Sequence, residues 1–161
     1  MEMEFDVKIT GGILYDFLMY HNYSKISNLI VNIIGAFILT GGIVNKHIPF
    51  IICGIILLLY LPVSLFVKAK QQQLLSPAFK KPLHYRLTAE GVFVSQDGQE
   101  EMQEWNNMYK AVSTPKSIIL YTTRVNACIF PRKDLGTDVP KLMEIISVNM
   151  DPKKVKIRGY L

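Results

Sequence analysis

Two apolar runs lie back to back, LIVNIIGAFILTGGIV at 29–44 and IPFIICGIILLLYLPVSLFV at 48–67, and only Asn45, Lys46 and His47 separate them. No other pattern constrains the chain as much. The second run has twenty residues. At ~1.5 Å of rise per residue it matches the roughly 30 Å hydrocarbon core of a bilayer. The first reaches a similar length when it starts near Ile26, although it carries Asn32, Thr40 and three glycines. Neither run contains a charged side chain. A soluble domain has no need of two such runs, so residues 26–67 read as a transmembrane hairpin with spans at 26–44 and 48–67. The first run begins too late for a secretory signal peptide, and no Ala-x-Ala-like cleavage site follows it.

Lysines around the spans set the expected orientation. Lys8 and Lys25 precede the first span, Lys68, Lys70, Lys80 and Lys81 follow the second, and the connecting loop holds Lys46 alone. Both termini are therefore expected in the cytoplasm, with the chain a multi-pass protein of the cell (inner) membrane. Net charge is +5, and the excess of Lys and Arg lies after the hairpin, where a basic domain would feel an anionic inner leaflet. Cys53 falls inside the second span and Cys128 far from it. Two unpaired cysteines suit a reducing compartment.

The flanks change the meaning of the hairpin. Residues 4–9 (EFDVKI) alternate, with Phe5, Val7 and Ile9 on one face and Glu4, Asp6 and Lys8 on the other. That is a half-buried strand, and it needs a partner strand. The sheet-forming sequence lies after the hairpin, so the N-terminal strand is expected to join it. Residues 13–23 (ILYDFLMYHNY) follow a Gly-Gly break and read as a short amphipathic helix packed on the domain. Within the hairpin Asn32, Gly35, Gly42 and Gly54 are candidates for helix–helix packing, with Asn32 expected to bond across the pair. Pro49 suits the first turn of the second helix, and Pro62 is placed near its far end. Residues 68–82 form a basic connector.

From Leu83 the period becomes two. Segments 83–88, 91–96, 99–104, 109–114, 117–122 and 125–131 read as strands, with Asp97-Gly98 a strong hairpin turn. A helix over 137–149, capped by Thr137 or Asp138, closes the unit, and a basic tail ends it. The boundaries are thus 1–25 for the N-terminal strand and helix, 26–67 for the hairpin, 68–82 for the connector and 83–161 for the β domain.

No catalytic set stands out. His21, His47 and His84 fall in separate contexts and lack metal-ligand spacing. Glu100, Glu101 and Glu104 read as a charged edge strand that discourages aggregation. The basic residues lack the aromatic interleaving of a nucleic-acid surface. The expectation is a protein that is not an enzyme, uses no cofactor and binds no nucleic acid. Its candidate contacts for anionic lipid headgroups or a protein partner are Lys68, Lys70, Lys80, Lys81, Lys153, Lys154, Lys156 and Arg158.

The succession Tyr85-Arg86-Leu87-Thr88-Ala89-Glu90-Gly91-Val92, Glu104-Trp105, Ile119-Leu120-Tyr121 and Ile129-Phe130-Pro131-Arg132-Lys133 resembles the YcxB-like family of small bacterial membrane proteins. The resemblance extends to the order of parts across nearly the whole chain. It implies a C-terminal domain similar to pleckstrin-homology-like domains and a bacterial inner-membrane protein, and it brings no catalytic residues. The fold class expected is α+β: a two-helix transmembrane hairpin inserted into a small antiparallel β domain closed by a C-terminal helix. The leading functional expectation is a non-enzymatic membrane-anchored interaction or regulatory module. A membrane-stress or bacteriocin-immunity protein acting through its hairpin, and a small oligomeric channel or transporter accessory subunit, are the alternatives.

Overall fold

The computed structural model describes residues 2–158. Strand β1 (Met3–Val7) pairs antiparallel with β2 (Leu83–Leu87), Met3 lying opposite Leu87 and Val7 opposite Leu83. The whole hairpin is therefore inserted between two neighbouring strands of one sheet. Met3 and Val7 are buried, while Phe5 stacks on Tyr85 at 5.9 Å. The strand stops at Val7 rather than Ile9. The Lys8 amide donates to the Asp134 carboxylate at 3.1 Å instead of to a neighbouring strand, though Ile9 is still buried.

Strands β3 (Gly91–Gln96) and β4 (Gln99–Glu104) extend this sheet in the order β1-β2-β3-β4. Asp97 and Gly98 both take positive φ, 54° and 81°, as a two-residue type I′ turn requires. The second sheet contains β5 (Lys110–Ser113), β6 (Ser117–Tyr121), β7 (Ala127–Pro131) and β8 (Val155–Lys156) in the order β7-β6-β5-β8. β8 is a correction to the reading of the C-terminal segment as a plain basic tail. It runs parallel to β5, because Val155 and Ile157 alternate with the charges and pack onto the core. The Arg158 amide donates to Ser113 Oγ at 2.7 Å and holds the segment in place.

A four-residue helix α4 (Arg132–Leu135) and a 3₁₀ turn over Gly136–Asp138 precede the closing helix α5 (Val139–Asn149). That helix starts two residues later than 137, and neither Thr137 nor Asp138 caps it by a side chain. Asp138 already has helical backbone angles inside the 3₁₀ turn, not the extended shape of an N-cap. Leu142, Ile145 and Ile146 of α5 are buried in the core that both sheets share. Phe130 from the second sheet meets Phe5 and Tyr85 from the first, edge to face, at 5.6 and 5.0 Å. Trp105 is buried, and its Nε1 donates to the Thr88 carbonyl at 2.9 Å. Two sheets closed by a C-terminal helix complete the α+β domain.

The insertion consists of α1 (Gly11–Tyr23), α2 (Ile26–Val44) and α3 (Ile48–Leu75). Helices α2 and α3 are each long and apolar enough to cross a membrane, and little of either is buried within the chain. Helix α3 continues past Val67 to Leu75, so half of the connector is helical and Pro62 lies well inside the helix rather than in its last turn.

Candidate functional site

The site with the most structural content is the junction where the insertion meets the sheets, and α1 builds it. Thr10 starts the helix, its Oγ1 accepting from the Ile13 amide at 3.4 Å. The first half of α1 packs on the end of the predicted span of α3 and on the extension beyond it. Leu14, Leu65 and Ala69 are buried there, and Tyr15 meets Phe66 edge to face at 5.8 Å. The second half turns to the second sheet. The Thr114 hydroxyl donates to the Asp16 carboxylate at 2.5 Å, and Phe17 and His21 both lie against the Tyr121 ring, with centroids 6.0 Å away. Every residue of β6 is buried as a result. Ile118 and Leu120 face the main core, while Ile119 and Tyr121 face α1.

His21 Nδ1 lies 3.3 Å from the Tyr121 hydroxyl. Burial raises the Tyr121 phenol, with Tyr20 adding to the effect, so the hydroxyl keeps its proton and is available as the donor. Burial, then Lys25 and Lys110, lower the His21 imidazole, and Lys110 Nζ also sits 4.8 Å from the centre of the Tyr121 ring. A neutral imidazole accepting from Tyr121 fits all of these. The corner into α2 is tied by the Asn28 amide, which donates to the Asn22 carbonyl at 3.0 Å. Beside α1 lies a cleft of about 450 Å³ lined by Ile9, Phe17, Gln72, Phe79, Leu83 and Ile129, which α1, the end of α3, β2 and β7 border.

The helix pair α2–α3 is closest at two glycines. A Cβ on Gly54 would lie 2.6 Å from Leu39 Cβ and 2.7 Å from its backbone, and one on Gly42 would lie 2.7 Å from the Ile51 amide nitrogen. Gly35 faces Leu57 and Leu58 less tightly. Asn32 does not serve as a bond across the pair in the way the sequence suggests. Its amide donates to the Asn28 carbonyl, one turn back on its own helix, at 2.8 Å, which satisfies it locally.

The eight basic residues fall on three separate elements. Lys68 and Lys70 are exposed on α3. Lys80 and Lys81 follow the 3₁₀ turn at Pro77–Phe79, and Lys81 Nζ is bound to Asp97 at 2.6 Å. Lys153, Lys156 and Arg158 are exposed along the tail, while Lys154 Nζ turns inward to the Met108 carbonyl at 2.9 Å. Among the described residues no group of three His, Cys, Asp or Glu side chains is placed to hold a metal ion. Cys128 is buried beside Tyr85, and burial pushes its thiol up to about 12. Sequence reasoning missed the Asp16–Thr114 and His21–Tyr121 contacts. The one available signal was the unbroken apolar run Ile118–Tyr121, which marks a strand covered on both faces.

Fold and junction together define a two-sheet α+β domain with an apolar helical hairpin set between its first two strands. Residues 87–146 match the family model described as YcxB-like protein, the segment in which the motif succession from Leu87 to Pro131 resembles that family. The family is one of unknown function. Neither the curated proteins nor the solved structures yield a match.

Proposed function

We propose that this is a non-enzymatic regulatory module at the cytoplasmic face of the inner membrane, whose hairpin spans the bilayer and whose α1 passes the state of the hairpin to the sheets. The observation that carries this reading is the double contact of α1, with α3 along one half and with β6 along the other. A tether needs no such contact. The exposed apolar surface of the hairpin supports the membrane placement: Phe37 is 73 % exposed, Val44 74 % and Ile48 68 %, and so extensive an apolar surface needs a non-aqueous cover. Lys68 and Lys70 lie just past the predicted exit of α3 from the bilayer, where each contributes about 1 kcal/mol beside anionic headgroups. Two of the potentially reactive side chains are engaged in structure, His21 on Tyr121 and Cys128 beneath the sheets.

Cysteine accessibility in intact cells tests the placement. In a Cys53→Ser background, His47→Cys should react with an impermeant maleimide from outside, and Thr123→Cys only after the cells are opened. Equal labelling of both from one side would refute the topology. For the regulatory role, Thr114→Val in the full chain should alter which proteins crosslink to the domain in native membranes. An unchanged crosslinking pattern, with α1 shown to be released, would refute it.

A further inference from the structure

Among the described residues each sheet has two outer strands, β1 and β4 in the first and β7 and β8 in the second; β4 is the most acidic of the four and β8 the basic one. Gln96 and Gln99 flank a two-residue turn and form a hydrogen-bonded pair, so Gln99, Glu101 and Gln103 are the β4 residues that bond inward to β3. The N–H and C=O groups of Glu100, Met102 and Glu104 therefore point away from β3, along an exposed edge. Such an edge is a template for a further strand.

The two edges carry opposite charge. β4 has three exposed glutamates, of which Glu100 pairs with Arg86 at 3.0 Å. Glu101 and Glu104 accept from the neutral amides of Gln103 and Asn107. On the other edge Val155 and Ile157 pack toward the core while Lys153, Lys156 and Arg158 stay exposed. Like edges repel each other, so β4 cannot pair comfortably with β4 nor β8 with β8. Unlike edges attract. The charges that discourage indiscriminate aggregation thus favour one combination.

We propose that the protein associates with copies of itself head to tail, the acidic β4 edge of one chain receiving the basic edge at Val155–Arg158 of the next. The proposal rests on the membrane reading above in one respect: a shared bilayer holds the copies in one plane and one orientation, which raises the effective concentration for a small contact. A heterologous contact of this kind closes into a ring or continues as a row.

Full-length chains bearing two different tags, co-expressed and extracted with their surrounding lipid, test it by co-purification. The variants are Glu101→Lys with Glu104→Lys, which makes both edges basic, and Lys156→Glu with Arg158→Glu, which makes both acidic. Each variant paired with itself should co-purify about tenfold less than wild type. The two variants expressed together should recover the wild-type level, because every contact is again between unlike edges. Misfolded chains would not recover on mixing. Wild-type chains that do not co-purify, a variant that pairs with itself normally, or a mixture that fails to recover would each overturn the proposal. A loss confined to the tail variant would assign the tail to lipid headgroups instead and also overturn it. Labelling at His47→Cys reports the membrane placement separately.

Discussion

At the scale of the residue, two glycines of the same helix pair make opposite forecasts. Gly54 has no room for a side chain against Leu39, whereas a Cβ on Gly41 would meet nothing within 4 Å. Gly54→Leu should force α2 and α3 apart and cost about 2 kcal/mol, while Gly41→Ala should cost nothing measurable; thermal unfolding of the reconstituted protein compares them. His21 sets a pH dependence. Its folded-state pKa lies below the ordinary 6.5, so as pH falls through 6.5 the unfolded chain takes up a proton that the folded chain does not, and stability falls with it. Above that range both states are neutral and the effect vanishes. Melting temperature followed from pH 7.5 downward should show a decline that His21→Gln reduces. Cys128, with its thiol pushed up to about 12 by burial, should resist alkylation in the native protein and react after denaturation, as read by mass spectrometry.

At the scale of the element, α1 links the hairpin to the second sheet. Thr114→Val removes the donor to Asp16 and leaves a carboxylate beside the sheet without it. The expected cost is about 1–3 kcal/mol, with faster amide exchange in α1 and β6 and little change in β3 and β4. Legibility in the sequence also divides by element. The hairpin is plain because hydropathy is a property of each residue in turn, and the Asp97-Gly98 turn because positive φ needs particular residues. The α3 extension beyond Val67 is ambiguous in sequence, since Lys68–Leu75 is polar enough for either a helix or a connector. β8 is hidden by the lysines around Val155 and Ile157, and only the neighbouring β5 makes a strand of it. Asn32 misleads because a polar side chain in an apolar helix has two ways to be satisfied, and the local one wins here.

At the scale of the whole molecule, the pairing of β1 with β2 is legible by elimination: a half-buried strand before the hairpin has one sheet to join, and both ends of the insertion have to return to it. The junction itself is not legible, because the contacts of Asp16 with Thr114 and His21 with Tyr121 span about a hundred residues and leave no local signature. The strand pairing and the junction are two physical links between the hairpin and the sheets, and the proposed coupling runs through both. Hydrogen exchange on the full chain in a bilayer, comparing wild type with Gly54→Leu, tests that claim most directly. Coupling predicts that straining the helix pair raises exchange in α1, in β1 and β2 where the insertion joins the sheet, and in β6 under α1, while the β3–β4 hairpin stays protected. Changes confined to α2 and α3 would contradict it and leave the hairpin as a tether.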